Sequence, residues 1–212
     1  MTGEYMLPAP VAYPPAPWVC AGGMWVGFFS SGDAPALPDD LRPFLDARWL
    51  AIGLVRYLRG PLRYDELFLG APARSGARFG LYVHHIWVDS VPSLWGGRDI
   101  WGLPKQMATF DWQDATVRIS DASGPIATLS VDAQTARLPR LPILAPIFGD
   151  LGGRRVFALA QGLGRLGRAR MHVHSWSQPV PYRPRTGPLP GLALKPFYLT
   201  IPAPTSAGMD PS

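Results

Sequence analysis

The 212-residue chain is poor in lysine. Of its 20 basic residues only two, Lys105 and Lys195, are lysines; the rest are arginine. Cysteine is scarcer still: Cys20 stands alone, which excludes an intrachain disulfide and fits a reducing, cytoplasmic compartment. No run approaches the ~18 uninterrupted apolar residues of a membrane-crossing helix, so no membrane partner is expected. Met1–Pro17 lacks the basic stretch and adjoining apolar stretch that mark a secretory leader. Charge is sparse too, at 17% of residues against the usual ~25%. The net charge is +5, but the arginines are scattered and not interleaved with aromatics, so no nucleic-acid partner is expected.

What the chain holds in plenty is proline and glycine, 25 and 23 residues, within a 47% hydrophobic composition. That excludes a mostly helical protein and suits short strands joined by turns. Residues 1–19 are proline-rich and aperiodic, and read as an N-terminal arm. One domain is expected over 20–203, with a flexible tail at 204–212.

Strands are predicted at Met24–Ser30, Arg48–Leu58, Tyr64–Leu69, Phe79–Asp89, Gln106–Trp112, Thr116–Ile119, Ile126–Val131, Arg155–Ala160, Arg168–Trp176 and Leu192–Ile201. Period-two alternation puts Tyr64, Glu66 and Phe68 on one face of their strand, with Asp65, Leu67 and Leu69 on the other. One or two short helices are predicted. One spans Pro38–Asp46, capped by Asp39 or Asp40. The other starts at Ser90 as N-cap, with Pro92 in its first turn, and ends by Gly102 and Pro104. Ala71–Gly76 and Pro179–Pro190 read as loops, and Leu138–Leu151 stays unassigned. The whole is mostly β with minor α: a large antiparallel barrel or sandwich.

Several motifs lead nowhere chemically. Gly162-x-Gly164-x-x-Gly167 has the dinucleotide glycine spacing, but the residues after Gly167 alternate like a strand, and no acidic residue lies between Asp150 and Asp210 to take a ribose hydroxyl. A glycine-rich hairpin is expected instead. His84-His85 and His172-x-His174 come without a cysteine or acidic third ligand, so cross-strand packing is expected rather than a metal. No cofactor is expected.

Lys105 stands apart from these. A primary amine can lose its proton, attack a carbonyl and form an imine, which a guanidinium cannot do. The amine lies in an apolar, glycine-rich stretch, Gly97-Arg98-Asp99-Ile100-Trp101-Gly102-Leu103-Pro104-Lys105-Gln106. Glu66 is the matching acid, on a strand face it shares with Tyr64 and Phe68. A carboxylate beside such a lysine can orient substrate or move a proton, and equally can be one half of a structural ion pair. Trp87, Trp101, Leu103 and Tyr64 are candidates to line an apolar pocket.

The segment from Ile86-Trp87-Val88-Asp89-Ser90-Val91-Pro92 through Gly97-Arg98-Asp99 to Pro104-Lys105 resembles the acetoacetate decarboxylase family. The family's upstream Tyr-x-Glu falls on Tyr64-x-Glu66. The resemblance implies a cone-like, mostly antiparallel β-barrel, a Schiff-base lysine at Lys105 and a pocket carboxylate at Glu66. It further implies a small keto acid or ketone as substrate and a homo-oligomer. Gly97, Arg98, Asp99 and Pro104 would be the structural motif, with Arg98 held in an ion pair. Two departures stand out. Gln106 replaces the family decarboxylase's second lysine, leaving it able to offer substrate only a hydrogen bond, and the region Trp18–Phe29 holds no arginine. Decarboxylation of a β-keto acid leads the functional reading. Aldolase–dehydratase imine chemistry, or a non-catalytic ligand-binding barrel, are the alternatives.

Overall fold

The computed structural model describes residues 7–44, 47–135, 139–177 and 182–207. Within them run thirteen strands and one helix. They are β1 (Trp18–Ser30), β2 (Arg42–Pro43), β3 (Trp49–Arg59), β4 (Tyr64–Ser75), β5 (Arg78–Val88), α1 (Val91–Trp101), β6 (Lys105–Met107), β7 (Thr109–Gln113), β8 (Thr116–Asp121), β9 (Gly124–Thr135), β10 (Leu141–Leu151), β11 (Arg154–Trp176), β12 (Gly187–Ile201) and β13 (Thr205–Ser206).

Seven of the strands succeed one another round a ring, β10-β5-β4-β3-β1-β12-β11, because β10 pairs with both β5 and β11. Neighbours are antiparallel except at the short seam where Ile147 and Phe148 meet Leu81 and Tyr82 in parallel. From β11 the sheet continues outward through β9, β8 and β7. The result is the mostly-β barrel expected, with a sheet extension beside it.

Alternation along the ring strands feeds two apolar cores, each burying a different face. One holds Tyr57, Tyr64, Val88, Leu94, Trp101 and Phe197 and faces α1. The other holds Trp25, Leu54, Leu67, Leu69 and Trp87 against Val117 and Leu129 of the extension. The period-two reading of β4 therefore holds: Leu67 and Leu69 serve one core, while Tyr64 and Phe68 serve the other.

Helix α1 begins as its sequence dictates. Ser90 is extended (φ −130°, ψ 116°), and its side chain accepts a hydrogen bond from the Ser93 amide. The helix closes at Gly102, whose φ of 62° places it in the left-handed region and whose N–H returns to Arg98 and Gly97 carbonyls. An added Cβ there would lie 2.2 Å from the Asp150 carbonyl oxygen, so Gly102 also lets β10 press against the helix end.

Several expectations are corrected. No helix starts at Pro38; residues 39–40 turn and β2 comes next, pairing with Arg74 and Ala73. Asp46 lies outside the described residues. β4 runs on to Ser75 through the expected loop, because β5 is long enough to pair with all of it. The strand after the helix is two pieces: β6 lies parallel to β5, and β7 leaves to pair with β8. Leu141–Leu151 is a full strand despite its prolines.

The glycine-rich hairpin is also absent: β11 crosses Gly162–Gly167 as one 23-residue strand. These glycines admit close neighbours rather than a turn. A Cβ on Gly162 would sit 1.8 Å from the Tyr198 carbonyl oxygen, and one on Gly164 would sit 2.3 Å from Ile143 Cδ1. Near the end of the described residues, Thr205–Ser206 pairs with Phe157 and Val156, and Ala207 is buried. At the other end, residues 7–17 lie over the chain's own helix, where Tyr13 donates to Asp99 (2.8 Å) and Trp95 donates to the Ala9 carbonyl (3.2 Å).

Candidate active site

Lys105 opens β6 three residues after the helix cap, Gly102. Its N–H donates to the Leu103 carbonyl, and the Lys105 carbonyl accepts from the Arg98 guanidinium at 2.8 Å. Arg98 thus holds the backbone of the lysine through a neutral oxygen, where an ion pair was expected. Parallel pairing with β5 sets Lys105 opposite Ile86 and Gln106 opposite Trp87. The Lys105 side chain then runs back under α1, against Gly97. A Cβ on Gly97 would fall 2.4 Å from Lys105 Cδ and 2.5 Å from Cε. Only glycine leaves that path open.

The amine ends in a buried polar knot. Lys105 Nζ donates to Glu66 Oε2 at 2.8 Å and to Ser93 Oγ at 3.0 Å, and it lies 5.0 Å from the centre of the Tyr64 ring. Glu66 Oε1 accepts from the Tyr57 hydroxyl at 3.4 Å, and the Tyr57 and Tyr64 rings stack at 4.4 Å. Lys105 is 3% exposed and Glu66 6%. Burial first, then the Glu66 charge, hold both tyrosines well above the ordinary phenol range, so they stay protonated. Cys20 belongs to the same neighbourhood. Burial, and secondarily Glu66, pushes its thiol up to about 11, which keeps it an unreactive thiol.

This knot sits in the wall of a cavity of about 400 Å³. Of the expected pocket residues, Tyr64, Trp101 and Leu103 line it alongside Lys105 and Glu66. Trp87 and Gln106 do not. They share a register position, and strand alternation turns both to the opposite sheet face, where Trp87 joins the other core. The position of the family's second lysine therefore faces away from the cavity. Among the described residues lining the cavity, Lys105 and Glu66 are the only charged ones.

Sequence reasoning missed Ser93 and Tyr57. Ser93 was legible as the one polar residue of the first turn of a short helix, and it is 0% exposed. Tyr57 gave no signal, because it reads as one more core residue of a largely apolar strand and its partner lies across β3–β4, where it faces Tyr64. On the far side of β4, Asp65 takes hydrogen bonds from Trp112 (2.6 Å) and Arg56 (3.2 Å), outside the cavity. The histidines are apart from the site as well. His172 and His174 stack at 6.4 Å, with His174 Nε2 2.8 Å from Ser130 Oγ, and no group of three or more metal-ligating side chains occurs among the described residues.

The barrel thus sets one buried amine against one buried carboxylate beside its helix cap. The chain belongs to the acetoacetate decarboxylase (ADC) family, which it matches over residues 33–146, a span containing both Glu66 and Lys105. An acetoacetate decarboxylase of Acidiphilium cryptum (strain JF-5) is 40% identical over 45 residues, covering 21% of this chain and 18% of that protein. The match therefore spans less than a fifth of that relative's length.

Solved structures share the fold across almost the whole chain. The enduracididine biosynthesis enzyme MppR, complexed with pyruvate, superposes with a TM-score of 0.67 at 14% identity, covering 98% of this chain and 94% of that one. Acetoacetate decarboxylase from Legionella pneumophila subsp. pneumophila str. Philadelphia 1 gives 0.65 at 18% identity, with 96% and 93% covered. An acetoacetate decarboxylase-like enzyme from Sphingomonas wittichii RW1 gives 0.60 at 14% identity, with 97% and 98% covered.

Proposed function

We propose that the protein is a Schiff-base enzyme whose Lys105 condenses with the carbonyl of a keto acid, with decarboxylation of a β-keto acid as the leading reaction. The observation that carries this reading is the buried Lys105–Glu66 pair, 2.8 Å apart, in the wall of an otherwise apolar cavity. A buried ion pair is a weak stabiliser, since desolvation offsets most of its attraction. Its seat in the wall of a cavity suits chemistry better than structure.

The reaction divides among the chain's own residues. Glu66 accepts a proton from Lys105, leaving the amine lone pair free to add to the substrate carbonyl. Glu66 returns that proton to the carbonyl oxygen, takes a second from the nitrogen of the carbinolamine and passes it to the new hydroxyl, which leaves as water as the carbon–nitrogen double bond forms. The bond to the carboxylate then breaks: its electron pair moves into the protonated imine and carbon dioxide departs. The resulting enamine takes a proton at carbon, and water hydrolyses the imine to release ketone and restore the amine. The Tyr57 and Ser93 hydroxyls keep carboxylate and amine in place between these steps. Apolar walls favour the step that destroys charge, because a carboxylate without a cationic partner gains by becoming neutral carbon dioxide.

One observation favours a second reading. Apart from Lys105, no cation among the described residues lines the cavity to hold a substrate carboxylate, so imine chemistry of the aldolase–dehydratase type, with retention of all carbons, is the alternative. Product analysis separates the two. With a β-keto acid the leading reading predicts carbon dioxide and ketone in equal amounts, abolished in Lys105→Ala and reduced at least about a hundredfold in Glu66→Gln, the usual scale for removing a general acid–base group. Unchanged turnover in Lys105→Ala overturns both readings.

A further inference from the structure

The cavity is far larger and more one-sided than a four-carbon keto acid requires. Its polar groups, Lys105, Glu66, Tyr57 and Tyr64, all contact one another at one end. Trp18 and Trp101 turn their indole N–H groups away to the Pro14 and Pro202 carbonyls and present ring surface instead. From there the lining is apolar throughout. It tracks β4 from Glu66 through Phe68 to Pro72, six residue steps, or roughly 20 Å of strand. Met24 and Phe28 of β1 and Leu81 of β5 face the same space. At the far end the rings of Phe44 and Phe79 stack at 5.2 Å, and Phe79 is 56% exposed.

A volume of about 400 Å³ lies in the ~300–1,000 Å³ range of sites for drug-sized ligands. The few non-hydrogen atoms of acetoacetate would leave most of it unfilled. Water is a poor filler, because a buried water needs two to four polar partners and this part of the wall has none to give. A polar or charged substituent would be stranded there for the same reason. An alkyl chain meets neither obstacle.

We propose that the substrate is a β-keto acid with an extended unbranched alkyl tail, its carbonyl at Lys105 and its tail in the apolar channel pointing toward Phe44 and Phe79. The head of this assignment rests on the imine reading; the tail rests on the shape and chemistry of the channel.

The test titrates the full chain with unbranched methyl ketones of rising length, from acetone upward. Affinity is read from the intrinsic tryptophan fluorescence, and imine formation separately from the mass added at Lys105 after borohydride reduction. Each methylene should tighten binding about fourfold until the channel is full, the fold-change that ~0.8 kcal/mol per buried CH₂ corresponds to. Ala145→Trp, which projects a ring into the channel from β10, should flatten this dependence. Leu144→Trp, on the outward face of the same strand, should leave it as it is. Affinity that does not change or weakens with length, while short ketones still trap at Lys105, overturns the tail assignment and spares the imine reading. Tightening with length but no adduct at Lys105 for any ketone supports the channel and overturns the imine reading.

Discussion

Lys105 and Glu66 depend on each other for stability as well as chemistry. Removing one partner of a buried ion pair leaves an uncompensated charge and costs roughly 3–5 kcal/mol, whereas replacing both with apolar groups of similar size is often neutral. Glu66→Ala should therefore lower stability by about that amount, and Lys105→Met combined with Glu66→Leu should recover most of it. Urea unfolding of the wild type and these variants checks this; a double variant no more stable than Glu66→Ala would refute the coupling. Gly97 acts differently. Its added Cβ meets Lys105 Cδ and Cε, the mobile end of a side chain, so Gly97→Ala should fold normally yet displace the amine. Borohydride trapping by Gly97→Ala should slow at least about tenfold at unchanged unfolding midpoint. Equal trapping rates would show that the amine does not need this path.

At the scale of elements, α1 is the part whose position decides where the amine goes. Its start was legible: Ser90 and Pro92 are a capping residue and a first-turn proline. Its end was legible too, in Gly102. Gly102→Ala would force a left-handed φ of 62° on a residue with a Cβ and drive that Cβ into the Asp150 carbonyl. The left-handed conformation alone costs roughly 1–2 kcal/mol, so a loss of about 2 kcal/mol or more is expected in thermal unfolding, and a loss below about 0.5 kcal/mol, the scatter of ordinary surface substitutions, would contradict this account. Elements governed by distant partners were not legible. β10 is a strand because β11 and β5 flank it, although its prolines argue otherwise. The Gly162–Gly167 stretch reads as a turn locally and is a strand because β12 and β10 press on it. In the same way Trp87 and Lys105 both read as pocket residues, and only the parallel β5–β6 register separates them. Lys105 and Glu66 could be singled out because charge is rare in their segments; Tyr57 could not, because nothing in its own strand marks it.

For the molecule as a whole, pH acts through half-buried imidazoles away from the cavity's polar end. His84 lies between the Tyr82 and Tyr182 rings, and its buried Nε2 finds no partner among the described residues. Burial, and then neighbouring His85, push its pKa down from 6.5 to about 4; burial lowers His85 as well. Between those values the unfolded chain binds more protons than the folded one, so stability rises with pH there and is lost as pH falls from about 6.5 toward 4. The urea midpoint should drop over that window in the wild type and drop less in His84→Phe, which keeps the ring packing without the titrating nitrogen. Parallel losses in the two proteins would assign the pH sensitivity elsewhere.

The central claim is that the amine of Lys105 forms an imine with a keto acid. Its most direct test is to incubate the protein with acetoacetate and with a longer β-keto acid, reduce with borohydride, and map the modified peptide by mass spectrometry. The account predicts a reduced adduct on Lys105 and none on Lys195, which stands over the Trp25 ring, 5.4 Å from its centre, and outside the cavity lining. Lys105 left unmodified, under conditions that trap a known imine-forming enzyme, would contradict it.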